Sequence, residues 1–152
     1  MLLIMDINTK REKYIKEIKS IVKKNEKLLK KAIAKMQADL EKDNFHKAWK
    51  VFNEIKEQVA LLYKEFSDPY KFTEKEERIA IPELKMPLEM ETRIKRYVDN
   101  NVRGCLNVLS TEKDPKRIAD VKATLLSNLK DVLLEIDILK ERIRKAENFA
   151  PV

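Results

Sequence analysis

The segment IKEIKSIVKKNEKLLKKAIAKM, residues 15–36, decides the fold. Within it Ile15, Ile18, Val22, Asn25, Leu29, Ala32 and Met36 recur at alternating steps of three and four, the spacing of a single helix face and of a heptad seam. An apolar stripe of that length has to be covered by another helix. Asn25 admits two readings: a polar residue tolerated at the edge of a bundle, or an asparagine that sets the register of a helix pair.

Outward from this segment the chain punctuates itself. Thr9 and Glu12 have the spacing of a capping box, which predicts a first helix over about 9–42. A second seam runs through Phe45, Ala48, Phe52, Ile55, Val59, Leu62 and Phe66. At about 100° per residue Phe45 falls on the opposite side of a continuous helix from Met36, so one straight rod cannot bury both stripes. The chain is expected to turn at Asp43-Asn44, either of which suits a helix cap, and to form an αα-hairpin with a second helix over about 44–66.

Ser67-Asp68-Pro69 predicts the end of that helix, because proline disfavours helical geometry in the residue before it. Residues 67–87, with Pro69, Pro82, Pro87 and at most one helical turn after Thr73–Glu76, then form an irregular connection: a crossover between hairpins, a lid or a partner-specific loop. Tyr63, Phe66, Tyr70 and Phe72, interleaved with Lys64 and Lys71, suit either a core at the helix end or a surface that stacks on bases. Pro87 suits the first turn of a third helix over about 87–110, with Ile94, Val98, Val102, Cys105 and Leu109 on one face and Gly104 open to a closely approaching neighbour. Asp114-Pro115, a cap followed by a first-turn proline, opens a fourth over about 115–147. Its seam is Leu125, Leu129, Val132, Ile136, Leu139, Ile143 and Ala146, widened by Leu126 and Leu133. The first and fourth helices are expected to be the long ones, roughly 45 Å each, and the two between them shorter.

Composition agrees with an all-α bundle of about four helices in one domain over residues 1–152. The chain is 43% hydrophobic and 39% charged, enough apolar material for a core beneath an ionic surface. A single glycine leaves few positions for hairpin turns and no phosphate-cradling loop or dinucleotide fingerprint. One cysteine and one histidine leave no zinc-ligand set, so no metal or other cofactor is expected. The opening MLLIM is five apolar residues before Asp6, with no basic region ahead and no small-residue cleavage site, and lysines interrupt every later apolar run. A soluble cytoplasmic protein that binds no membrane is the expectation.

Catalytic material is thin. His46 stands beside Phe45 and off the seam, Cys105 has no evident general base, and Glu54/Glu57 and Glu74/Glu77 are carboxylate pairs at helical spacing among lysines, which reads as surface. No catalytic residue is assigned and an enzyme is not expected. The charge is more informative, because it is uneven. Between Lys10 and Lys35 eleven Lys/Arg face three acids, Glu12, Glu17 and Glu26; that balance of +8 exceeds the chain's net +7 and leaves −1 for everything else. Lys13, Lys16, Lys23, Lys27 and Lys30, with Ser20 in the gap, step by three and four as the seam does, about 100° to one side of it, and Lys24 and Lys31 lie next to them. Ammonium groups about 5 Å apart along a helix suit a phosphate backbone, and lysine, lacking the planar fork that reads guanine, predicts binding without sequence specificity.

Two functions follow. The first is a non-enzymatic basic subunit of a nucleoprotein assembly that holds nucleic acid through Lys13, Lys16, Lys23, Lys24, Lys27, Lys30 and Lys31. The second is a structural adaptor whose seam of Ile15, Ile18, Val22, Asn25 and Leu29 packs against a partner helix, from another protein or a second copy, with the lysines serving solubility.

Overall fold

The computed structural model describes residues 2–77 and 91–148, and the side-chain surroundings of residues 12–66 and 91–148. Among them are helices and no strand: α1 (Leu2–Glu41), α2 (Phe45–Glu77), α3 over residues 91–111, and α4 (Pro115–Glu147). Cross-helix contacts fix the topology. Lys19, Glu26 and Asp43 of α1 and its turn meet Glu147, Lys140 and Lys122 of α4 in reverse order. Lys35 meets Glu54, Arg103 stacks on Phe52, and Asn101 bonds Asn128. Each helix therefore runs antiparallel to the next, and α4 returns to α1, closing a four-helix up-down bundle.

The turn between α1 and α2 falls where Asp43-Asn44 predicted it. Asp43 takes a left-handed φ of 55°, its N–H donates to the Leu40 carbonyl, and the Asn44 N–H reaches back to Asp39 at 2.8 Å, a Schellman closure of α1. Asn44 then caps α2 by accepting from the Lys47 amide. The fourth helix has its expected bounds: Asp114 accepts from Lys116 N–H at 3.2 Å, and Pro115 occupies the first turn.

Three boundaries differ from expectation. α1 starts at Leu2, so Thr9 lies inside the helix and caps nothing; residues 2–8 contain no glycine or proline to stop it. α2 continues through Pro69 to Glu77, which places Ser67–Asp68 and Thr73–Glu76 inside a helix and makes α2 as long as α4. An internal proline forfeits one hydrogen bond and crowds the preceding turn, at about 3 kcal/mol. Pro69 is nonetheless carried inside α2, beyond the Tyr14 hydroxyl to Phe66 carbonyl bond that ties α2 to α1. The remainder of the expected irregular connection, with Pro82 and Pro87, lies outside the described residues.

The third difference is within α3. Glu91–Arg96 and Arg103–Thr111 are α-helical, and Tyr97–Val102 between them forms a π-helical segment. Its wider turn accommodates an extra residue, so the buried positions step by four, Ile94, Val98, Val102, Leu106, before returning to three at Leu109. Leu106 therefore takes the core position expected of Cys105, which rolls to a half-buried one. Gly104 meets no neighbouring atom where a Cβ would stand, so close helix approach is not its role.

The seams of α1, α2 and α4 are buried as spaced: Ile18, Val22, Leu29 and Met36 pack with Phe52, Ile55, Val59 and Leu62 and with Leu129, Val132, Ile136 and Leu139 in one cluster. Each such side chain contributes roughly 1.5–3 kcal/mol. Tyr63 and Phe66 belong to this core. No described helix is long and apolar enough to cross a membrane.

Candidate nucleic-acid interface

The seam residues Ile15, Ile18, Val22, Asn25 and Leu29 find their partners within the chain, each at most 5% exposed. Asn25 donates from Nδ2 to the Ile21 carbonyl at 2.8 Å, while its Oδ1 is buried without a partner. The seam orients everything on the other side of α1. Counting from Ile18 at about 100° per residue, Lys27 lies half a turn away, so the lysine row stands nearly opposite the core, farther round than the sequence reading placed it. Lys16, Lys23 and Lys30 lean toward α4, the side on which Lys19 and Glu26 meet Glu147 and Lys140. Lys13, Lys24 and Lys31 lean toward α2, where Lys35 meets Glu54. All seven lysines are exposed.

The neighbouring helices sort these charges. Lys30 pairs with Glu26 at 3.7 Å, and Lys19, from the opening lysine run, is held bidentately by Glu147 at 3.0 and 3.1 Å. In the groove between α1 and α4, about 600 Å³, Lys19, Lys23, Lys140 and Arg144 face Glu26, Asp137, Glu141 and Glu147 over a floor of Val22 and Ile143. Four cations and four carboxylates cancel. The groove between α1 and α2 balances likewise, Lys31 and Lys35 against Glu54 and Glu57. Among the described residues Lys13, Lys16, Lys23, Lys24, Lys27 and Lys31 have no ion-pair partner. The net positive field thus narrows from the whole helix to its outward edge.

The cross-helix rungs went unread in the sequence, although a signal exists: Lys19 and Glu26 are seven apart, as are Lys140 and Glu147, so an antiparallel register that satisfies one pair satisfies the other. Nor did the sequence flag the buried Glu135, which accepts from Arg93 Nε at 3.1 Å beside Tyr63. The remaining candidates stand apart from one another. His46 is exposed, Glu54 is tied to Lys35, and burial pushes the Cys105 thiol above its ordinary range, which suits packing better than nucleophilic attack. Among the described residues no three His, Cys, Asp or Glu side chains converge to hold a metal ion. Compared with protein-family models, curated proteins and solved structures, the chain matches none.

Proposed function

We propose that the protein is a non-enzymatic, cytoplasmic, basic subunit of a nucleoprotein assembly, and that it holds a nucleic-acid backbone along the outward edge of α1 without reading sequence. The observation that carries this reading is the asymmetry of pairing: lysines that point into grooves have carboxylates from α2 and α4 for company, while Lys13, Lys16, Lys24 and Lys27 point away from all of them. Ammonium groups three or four residues apart stand about 5 Å apart along the axis, close enough to serve successive phosphates. Among its described residues the edge carries no arginine and no aromatic residue, so affinity there rests on counterion release and not on bidentate base readout or base stacking.

Fluorescence anisotropy with labelled oligonucleotides of mixed sequence tests this. Binding at low salt should be tight for every sequence and weaken with a log–log salt slope of about −3 to −4 if about four phosphates are neutralised. Replacing Lys13, Lys16, Lys24 and Lys27 by Glu should abolish binding with the helical circular dichroism intact, whereas Lys35→Glu, already paired in its groove, should change it little. A wild-type protein that fails to bind at low salt, or a four-site variant that binds as tightly, refutes the reading.

A further inference from the structure

The face that α1 and α2 turn away from the bundle carries two exposed leucines, Leu28 and Leu61, each 39% exposed. Each lies one heptad from a member of the Lys35–Glu54 ion pair, in opposite directions along antiparallel helices, so they stand at one level of the bundle, at the end of the groove that Leu28 lines. The groove, about 220 Å³, is lined by Leu28, Lys31, Ala32 and Lys35 of α1 and by Glu54, Glu57 and Gln58 of α2. The α1 set is spaced i, i+3, i+4, i+7, the four positions that surround a knob when helices interlock.

Charge selects the occupant. Through their middle stretch α1 presents Lys24, Lys31 and Lys35 on this face and α2 presents Glu54, Glu57 and Glu65, while toward the turn α2 adds Lys47 and Lys50. We propose that a second copy of the chain docks here about a two-fold axis parallel to the helices, so that α1 of each copy lies against α2 of the other and Leu61 of each packs on the other's Leu28 at the rim of the Leu28–Lys35 hole. Helices facing each other across the interface are then antiparallel, as they are within the chain. The register that pairs Lys35 with Glu54 internally recurs between copies: Lys35 opposite Glu54, Lys31 opposite Glu57, Leu28 opposite Leu61, Lys24 opposite Glu65. A two-fold perpendicular to the helices sets α1 on α1 and lysine on lysine, which like-charge repulsion disfavours.

The size of the face is sufficient. Two helices side by side along the 33 residues of α2 span roughly 20 by 50 Å, above the roughly 800 Å² per partner of a standard interface. The contact uses the α2-side lysines, Lys24 of the proposed nucleic-acid edge among them, and leaves Lys16 and Lys27 outward, so the two kinds of binding share Lys24 and the dimer is measured on protein freed of nucleic acid.

Light scattering on protein freed of nucleic acid by nuclease and a high-salt wash, then returned to low salt, should give twice the 18.0 kDa chain mass. Leu61→Asp should give the monomer mass with unchanged circular dichroism, and Leu134→Asp, at a more exposed leucine on α4, should leave the dimer intact. Charge reversal tests the axis. Lys31→Glu/Lys35→Glu and Glu54→Lys/Glu57→Lys should each be monomeric alone and form a one-to-one heterodimer when mixed, because only the mixture restores opposite charges at both contacts. A wild-type monomer at the highest soluble concentration, dissociation by Leu134→Asp in place of Leu61→Asp, or no heterodimer on mixing overturns the proposal.

Discussion

The two faces of α1 obey the same three-four spacing and differ in what surrounds them. Inward, Ile18, Val22, Leu29 and Met36 are at most 2% exposed and are held by α2 and α4; outward, Lys16 and Lys27 have no ion-pair partner among the described residues. The contrast teaches that a charged stripe takes its meaning from its flanks. Lysines half a turn from the core keep their field, while Lys19, a quarter turn away, loses it to Glu147, a carboxylate more than a hundred residues distant in sequence.

Truncating the inward face should have the largest effect. Leu29→Ala should cost about 2–5 kcal/mol in urea denaturation, while Lys27→Ala should stay within about 0.5 kcal/mol. Equal costs would dissolve the distinction between the faces. Asn25→Leu sharpens it from inside the core: it removes a buried, unpartnered Oδ1 and should raise stability by about 1 kcal/mol without altering the mass in solution. A loss of stability there would reveal a partner for that oxygen.

A second buried polar atom gives a pH test. Burial first, then the charges of Glu135 and Glu91, hold the Tyr63 phenol well above its ordinary range against the opposing pull of Arg93. A phenol whose ionisation is harder in the folded state than in the unfolded one leaves stability intact below about pH 10 and erodes it as pH rises further. Tyr63→Phe, which deletes a hydroxyl without a hydrogen-bond partner, should change neutral stability by less than about 1 kcal/mol and shift alkaline unfolding to higher pH. Unaltered alkaline unfolding would show that Tyr63 ionises as readily in the folded state as in the unfolded one. The smallest effect belongs to the grooves: Lys19→Ala breaks an exposed ion pair and should cost about 0.2–1 kcal/mol, fading at high salt.

How much of this was legible depended on whether the signal was local. α4 was readable end to end because Asp114-Pro115 starts it and its seam never slips. The turn at Asp43-Asn44 was readable because two seams half a turn out of phase demand it. Pro69 misled, since a proline's local penalty is visible in sequence but does not by itself end a helix. Cys105 and Leu106 exchanged places because nothing about Asp99-Asn100-Asn101 announces a widened turn. The lysine row could be found by spacing alone; its partners on α4 could not, because the register between helices distant in sequence is set by packing.

The π-helical segment of α3 has a consequence for how the chain tolerates changes of length. In an ordinary helix, losing one residue swings everything downstream by about 100° and turns the buried stripe into solvent. α3 already carries a surplus residue between Val98 and Val102, so deleting Asn100, which is exposed, should close the wide turn into a regular one and leave Ile94 and Leu106 both facing inward. Deleting Asn53 from the regular α2 should instead unfold the protein. α3 is thus the one described helix in which natural variants that differ by a single codon would be expected to survive.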